Sequence, residues 1–373
     1  MASSNTIKVG GKRRGPFMGQ SARTVALRVF AVAVMIIYSL VTIFPFYVLI
    51  IRSFVPTKES VDLHLWIPET EEVSMDAEVG NLGVFYDLDL KDLKDALGIP
   101  QTEFIMARTT LREVAEQYDI PEQEIRDFFA GFYTYNGWIT VLTGDLQSTT
   151  FWGALIKTLI VTVISLTLLI ILSIFTGYGL AGMRRKDQRF VFYIYLLQMV
   201  IPAMLILLPQ YQLLQWIMKL FSGYDVQGST TRAALQLISI VLINIKGTAL
   251  SVMIFTAAIG GIPKELEESA TIDGASRIQY VRYILLPLLK VPIVSMIVIM
   301  LPLIYNQFLE PYVYLDPGNS TLLPYIQSIS GQFSTNYQVI YASVLGSVVP
   351  LIVVYLLFRR FFVEGAMAGA IKG

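Results

Sequence analysis

Cysteine is absent from the 373 residues, and His64 is the single histidine. No disulfide framework, thiolate metal site or cysteine nucleophile is available, and a His-based zinc site or Ser-His-Asp triad lacks its parts. Charge is scarce as well. Asp, Glu, Lys and Arg make up 15% of the chain, against roughly 25% in soluble domains. Hydrophobic residues make up 54%, and the mean hydropathy is +0.60. A chain so poor in charge cannot cover its own surface in water, which argues strongly against a soluble enzyme. No Gly-x-x-x-x-Gly-Lys-Ser/Thr phosphate loop or zincin motif occurs, so ATP is not hydrolysed here by that route.

Long apolar runs stand in place of these features. A helix crosses a bilayer core with about 20 apolar residues. Val29–Ile51, Thr158–Met183, Phe190–Met218, Ala233–Ile262, Val291–Leu309 and Val339–Phe358 qualify. The third holds Pro202 and Pro209, which should break or kink it, and the fourth holds an interior lysine, Lys246. The expected fold class is an all-α polytopic membrane protein with six transmembrane helices. Lys8, Lys12, Arg13 and Arg14 precede the first run, as in a signal peptide. The run is too long for a signal peptide's apolar region and no small-residue cleavage site follows, so it reads as a retained signal anchor.

Lysine and arginine collect on one side. The N-terminal tail has six. The loop after the second run has Arg184, Arg185, Lys186 and Arg189, and the loop after the fourth has Lys264, Arg277, Arg282 and Lys290. The C-terminal tail has Arg359, Arg360 and Lys372, whereas residues 310–338 have none. Both termini are expected in the cytoplasm, with residues 55–150 outside. That block holds 19 Asp/Glu and 6 Lys/Arg, a net of −13 that the rest of the chain balances. It contains an internal echo at an offset of 21: Leu93 to Phe104 against Val114 to Ile125, each read as helix, turn, Ile-Pro, helix. A small helical cap is expected, followed by an aromatic stretch (Phe128, Phe129, Phe132, Tyr133, Tyr135, Trp138). The cap serves either as a docking surface or lid, or as a solvated decoration packed on the membrane. Its acidity excludes nucleic acid as a partner, because phosphate would be repelled.

The loop after the fourth run is patterned. Pro263 suits a helix start, and Glu265, Glu267 and Glu268 complement the helix dipole. Asp273-Gly274 suits a helix end and corner, since glycine tolerates positive φ. A second short helix is expected over Ser276–Leu286, and Leu266, Ala270 and Ile272–Asp273 should present a knob flanked by acid. Glu268-Ser269-Ala270, Asp273-Gly274-Ala275 and Ile284-Leu285-Leu286-Pro287 together resemble the EAA loop of ABC importer permeases, with Ser269 in place of the usual first alanine. Ile43-Phe44-Pro45-Phe46, Asn306-Gln307-Phe308-Leu309-Glu310-Pro311 and the tail Phe361–Gly373 resemble permeases of the maltose/oligosaccharide (carbohydrate uptake) type. The resemblance covers the first run and about residues 150–373, and leaves 55–150 as an insertion.

The resemblance implies an ABC type I importer permease core with an extra helical extracytoplasmic insertion between helices 1 and 2. The division expected is a cytoplasmic tail over 1–24, transmembrane helix 1 over 25–54, the insertion over 55–150, the core over 151–358 with the coupling loop at 263–287, and a cytoplasmic tail over 359–373. It implies ATPase coupling through Glu268, Ser269, Ala270, Asp273, Gly274, Ala275, Leu286 and Pro287. Glu268 would pair with the ATPase, Ala270 and Ala275 would pack in its cleft, and Gly274 would make the bend. Tail contacts fall to Gly365, Gly369, Lys372 and Gly373. The partners implied are ABC ATPase subunits, a second permease subunit (a related but distinct chain, giving a heterodimer), an extracytoplasmic sugar-binding protein and the bilayer. No cofactor or metal is expected on this chain, with ATP and Mg on the partner ATPase, and the site of action is the plasma or inner membrane.

Polar groups within the runs are the candidates for a substrate path: Lys246, Asn244, Gln198, Tyr305, Asn306 and Gln307, with Gln210 and Gln212. A charge at membrane depth costs about 2.5–3.5 kcal/mol on insertion scales and usually faces a cavity or partner. Lys246 could equally snorkel to the headgroups, and the amides could equally hydrogen-bond between helices. The function expected is a permease subunit of an ATP-driven sugar importer and not an enzyme. One alternative is a non-transporting receptor or sensor subunit whose acidic external block is its ligand domain. Another is a membrane enzyme acting on lipid-linked glycans, disfavoured because the runs carry almost no carboxylates.

Overall fold

The computed structural model describes residues 22–55, 65–67, 73–86, 88, 90–130, 132–144, 149–222, 230–246, 248–329 and 336–370. His64, the basic residues Lys8 to Arg14, and Lys372 and Gly373 lie outside them. The first apolar run is a single helix, α1 (Ala22–Arg52), apolar and exposed on nearly every side up to Phe46. A helix that is apolar all round is made for lipid or another protein. Its C-terminal end is anchored: Ile51, Ser53 and Val55 are buried, and the Trp138 indole donates to Ser53 Oγ at 3.1 Å.

The acidic block forms α2 (Val79–Tyr86), α3 (Leu90–Ala96), α4 (Leu111–Gln117), α5 (Glu122–Ala130) and α6 (Phe132–Thr143). It has a core of its own, centred on Met75, Leu93, Leu111, Val114, Ile125 and Phe129. The 21-residue echo is a repeated helix stop. The Ile99 amide donates to Lys94 O at 2.8 Å around Gly98 (φ 66°), and the Ile120 amide donates to Ala115 O at 2.9 Å around Asp119 (φ 52°). Both are Schellman endings, which require a left-handed residue just past the helix. The copies then diverge from the expected pattern. After Pro121 the chain enters α5, whereas after Pro100 it makes one turn and stops. Ile125 and Phe129 bury one face at i and i+4, but the residue four after Phe104 is Arg108. Phe104 is accordingly 83% exposed and Ile125 is fully buried.

Next, α6 leads to α7 (Phe151–Ala181), the hub of the remaining chain, packed on α6 and on helices described below. The third expected span is not one helix. It consists of α8 (Arg185–Val200) and α9 (Ala203–Ser222), which meet at 99°. Pro202 lacks an amide proton and forces Ile201 out of helical geometry (φ −78°, ψ 117°). Pro209, by contrast, is carried inside α9. The fourth expected span is likewise two helices, α10 (Thr230–Ile245) and α11 (Ala249–Gly260), bent by 54°. Thr248 restarts the chain with a capping box to Ser251. Lys246 therefore sits exposed at a break between helices and not within a continuous span.

Beyond Pro263 come α12 (Lys264–Ile272), α13 (Arg277–Tyr280), a π-helical turn (Val281–Leu285) and α14 (Leu286–Leu288). The second short helix thus runs to Leu288, two residues past the expected end. The chain bends by 68° into α15 (Lys290–Tyr305), so the fifth helix ends four residues before the expected Leu309. Helices α16 (Leu309–Tyr314) and α17 (Leu322–Ser328) precede α18 (Tyr337–Ala370). Among the described residues, three helices are long and apolar enough to cross a membrane alone, and counting each bent pair as one span makes six. Among the described residues no strand is present, only an isolated bridge between Glu78 and Thr110. Helix α7 packs on α10, α11, α15 and α17 and so stands at the centre of the bundle.

Candidate functional site

The patterned loop folds as two short helices about a sharp corner. Helix α12 ends in a third Schellman motif: the Gly274 amide donates to Thr271 O at 3.0 Å and the Ala275 amide to Ala270 O at 2.9 Å. Gly274 holds φ at 79°, a conformation that costs L-residues with a Cβ, so glycine at this position has a backbone reason. The helix after the corner is started by Ser276, whose hydroxyl accepts from the Gln279 amide while the Gln279 side chain accepts from the Ser276 amide. Ala270 and Ala275 make the apolar contact that accompanies the motif.

That contact changes the expected role of Ala270. It is buried among Tyr280, Leu285 and the α7 and α11 side chains of its own chain, and does not project outward. Glu265, Glu268, Ser269 and Asp273 do face outward, as do Leu286 and Pro287, while Leu285 and Leu289 turn in. The outward apolar surface contains Ile272, as expected of the knob, together with Ile278 and Tyr283, which were not expected in it. Ile272 is 85% exposed, Ile278 79% and Tyr283 67%, with Arg282 stacked 5.6 Å from the Tyr283 ring. Leu266, expected in the knob, is less exposed at 41%.

A groove of ≈ 1060 Å³ lies beside the loop, walled by the ends of α7 and α11 and by α12. Tyr178, Gly182, Ile259, Glu267, Glu268 and Arg277 line it. Glu267 is the inward member of the acid run: the Tyr178 hydroxyl of α7 donates to its Oε1. A second hollow of ≈ 300 Å³ opens on the other side of the corner, between Asp273, Gln279, Tyr283 and Ile284. The corner is thus an acid-rimmed apolar projection with recesses on both flanks.

The expected path residues are only partly gathered. Asn244 donates to Gln307 Oε1 at 3.1 Å and to Ser165 Oγ at 3.3 Å, so α10, α7 and the end of α15 meet there. Tyr305 is buried and its hydroxyl donates to Ser347 O of α18 at 2.8 Å, tying two helices together, and with Gln307 it lines a small cavity against Thr158 and Thr162 of α7. Asn306 caps α15 and is exposed, Gln198 is half-buried on α8, and Lys246 stands apart at the α10–α11 break. Gly365 and Gly369 fall within α18, which stays helical through Ala370. Among the described residues no cluster of His, Cys, Asp or Glu could hold a metal ion.

Residues 170–365, just over half the chain and including the whole corner, match the family described as binding-protein-dependent transport system inner membrane component. The chain belongs to this family. As a family member it is a multi-pass membrane component of an ABC importer, a permease subunit with no catalysis of its own. Among similar proteins is the "Probable starch degradation products transport system permease protein AmyC" of Thermoanaerobacterium thermosulfurigenes, 29% identical over 58% of this chain and 74% of that protein. The melibiose/raffinose/stachyose import permease protein MelC of Bacillus subtilis is 29% identical over 59% of this chain and 76% of its own. The arabinooligosaccharides transport system permease protein AraQ of Halalkalibacterium halodurans is 27% identical over 57% and 71%. A chain from the crystal structure of a bacterial ABC transporter involved in import of the acidic polysaccharide alginate shares the fold. It matches with a TM-score of 0.56 and 14% identity over 92% of this chain and 99% of that one.

Proposed function

We propose that this permease subunit serves an ATP-driven importer of sugars, oligosaccharides in particular, and that residues 263–287 couple it to a separate ATPase. The observation that carries the reading is the corner at Gly274, around which acid (Glu268, Asp273) and bare apolar side chains (Ile272, Ile278) are all left exposed. A soluble motor protein with a basic-rimmed apolar cleft would bury that face. The sugar assignment is supported by what the similar permeases are named for: starch products, arabinooligosaccharides and the melibiose family.

In this reading a soluble extracytoplasmic binding protein delivers substrate to two paired permeases, this chain and a distinct partner. ATP and Mg on the ATPase subunits close them, the corner is drawn along, and α7 and its neighbours rock between inward-facing and outward-facing states. Both termini and the corner lie in the cytoplasm, residues 151–358 form the transport core, and the acidic block at 55–150 stands outside over it. The lysine and arginine distribution supports this orientation.

The test is reconstitution of the purified complex in vesicles with a panel of mono- and oligosaccharides. Import that needs ATP inside and binding protein outside is expected, with Glu268→Lys breaking the link between sugar and ATP turnover. Full coupling in Glu268→Lys would refute the assignment of this loop.

A further inference from the structure

Glu267 precedes the EAA-like triplet, yet it is the acid that faces its own protein. Glu265 and Glu268 are exposed, whereas Glu267 is half-buried in the large groove and accepts the hydrogen bond from Tyr178. Tyr178 sits three residues before the end of α7. The residue before it, Gly177, is the point at which α7 and α11 touch backbone to backbone: a Cβ there would lie 3.0 Å from the Phe255 carbonyl carbon and the Thr256 nitrogen. One turn earlier Ser173 donates to Ser251 Oγ at 3.0 Å, again joining α7 to α11.

Helix α12 is otherwise joined to the bundle by the chain on either side, Gly260–Pro263 before it and the Gly274 corner into α13 after it, and by the apolar contact of Ala270. Two glycines and a proline make a joint that can turn, and apolar contacts can slide. A charge-assisted hydrogen bond is directional and resists both.

We propose that the Tyr178–Glu267 pair is a latch that makes the corner and α7 move as one body, so that displacement of the corner is delivered to the transport helices. This rests on the importer reading. Glu267 is a positioning residue: it touches neither sugar nor nucleotide, and acts by holding α12 against α7. Without the latch α12 still carries its outward face to the ATPase, but its swing is absorbed at Gly260–Pro263.

The assay is the ratio of sugar imported to ATP hydrolysed by the whole reconstituted transporter. Tyr178→Phe keeps the ring and removes only the hydroxyl, and Glu267→Ala removes the acceptor. Both are expected to keep the ATPase in the complex and its nucleotide turnover, while sugar moved per ATP falls several-fold, up to about tenfold. Glu267→Gln keeps an acceptor oxygen and is expected to restore most of the ratio. The Tyr178→Phe/Glu267→Ala double variant is expected to lose no more than either single variant. A ratio within about twofold of the unaltered protein in both single variants, or losses that multiply in the double, would overturn the latch. So would loss of the ATPase from the complex, which would make the pair a docking element. Absence of ATP-dependent import in the unaltered protein would instead count against the importer reading.

Discussion

Gly177 and Gly179 lie two residues apart on α7, and replacing each with alanine should give opposite results. A Cβ on Gly177 would sit 2.9 Å from Phe255 Cβ and 3.0 Å from backbone atoms of Phe255 and Thr256. Backbone cannot swing aside as a long side chain can, so α7 and α11 must separate where Ser173 and Ser251 also bond. Overpacking of this kind costs about 1–3 kcal/mol. The alanine recovers only about 0.5–1 kcal/mol of helix preference, so the net effect is destabilising. At Gly179 a Cβ would meet nothing within 4 Å. There the preference term stands alone, and the variant should be stabilised by up to about 1 kcal/mol. Thermal unfolding of the detergent-purified protein reads both; 1 kcal/mol corresponds to about 2–4 °C in units of 150–250 residues. Gly177→Ala should melt lower than the unaltered protein and Gly179→Ala equal or higher. The same midpoint for both, or the reverse order, would refute the close α7–α11 crossing and with it the rigid route from corner to core.

Gly274→Ala should fold, since its Cβ would meet nothing within 4 Å, but φ of 79° imposes about 1–2 kcal/mol of strain on an L-residue. The corner then opens, and ATP-dependent import should fall roughly 5- to 30-fold; unchanged import would show that the left-handed geometry is dispensable. In the α2–α5 unit, Leu93 is fully buried, and Leu93→Ala should cost about 2–5 kcal/mol. Limited proteolysis between residues 90 and 130 should accelerate, with unfolding of the α7–α18 bundle unshifted because the two cores share no side chains. A shifted bundle midpoint would mean that the α2–α5 unit does not carry its own stability.

The apolar runs were legible because burial in lipid selects composition over long stretches. The residues at their ends were less so. Pro202 announced a break, but whether a proline stops a helix depends on what satisfies the freed backbone, and Pro209 lies undisturbed inside α9. The break between Ile245 and Ala249 had a local mark, the Thr248 capping box to Ser251, but the apolar composition on both sides made the stretch read as one continuous span through Lys246. The 21-residue echo correctly pointed to two matching helix stops, since Schellman endings are encoded within six residues. It misled about the following helix in the first copy, where Arg108 stands at the position that Phe129 fills in the second.

Motif spacing located the corner and its left-handed glycine, since a bend and its caps are local events. Which side chains of the corner face outward was not local. Ala270 turns inward because α7 and α11 stand behind it, and Ile278 and Tyr283 are left bare because nothing in this chain covers them. Composition and periodicity determined that the chain is a bundle of membrane helices with a bent loop on its basic side. Only the packing of α7 against α11 decided which acid is spent inside, because Tyr178 and Glu267 are 89 residues apart and meet solely when two helices cross at Gly177.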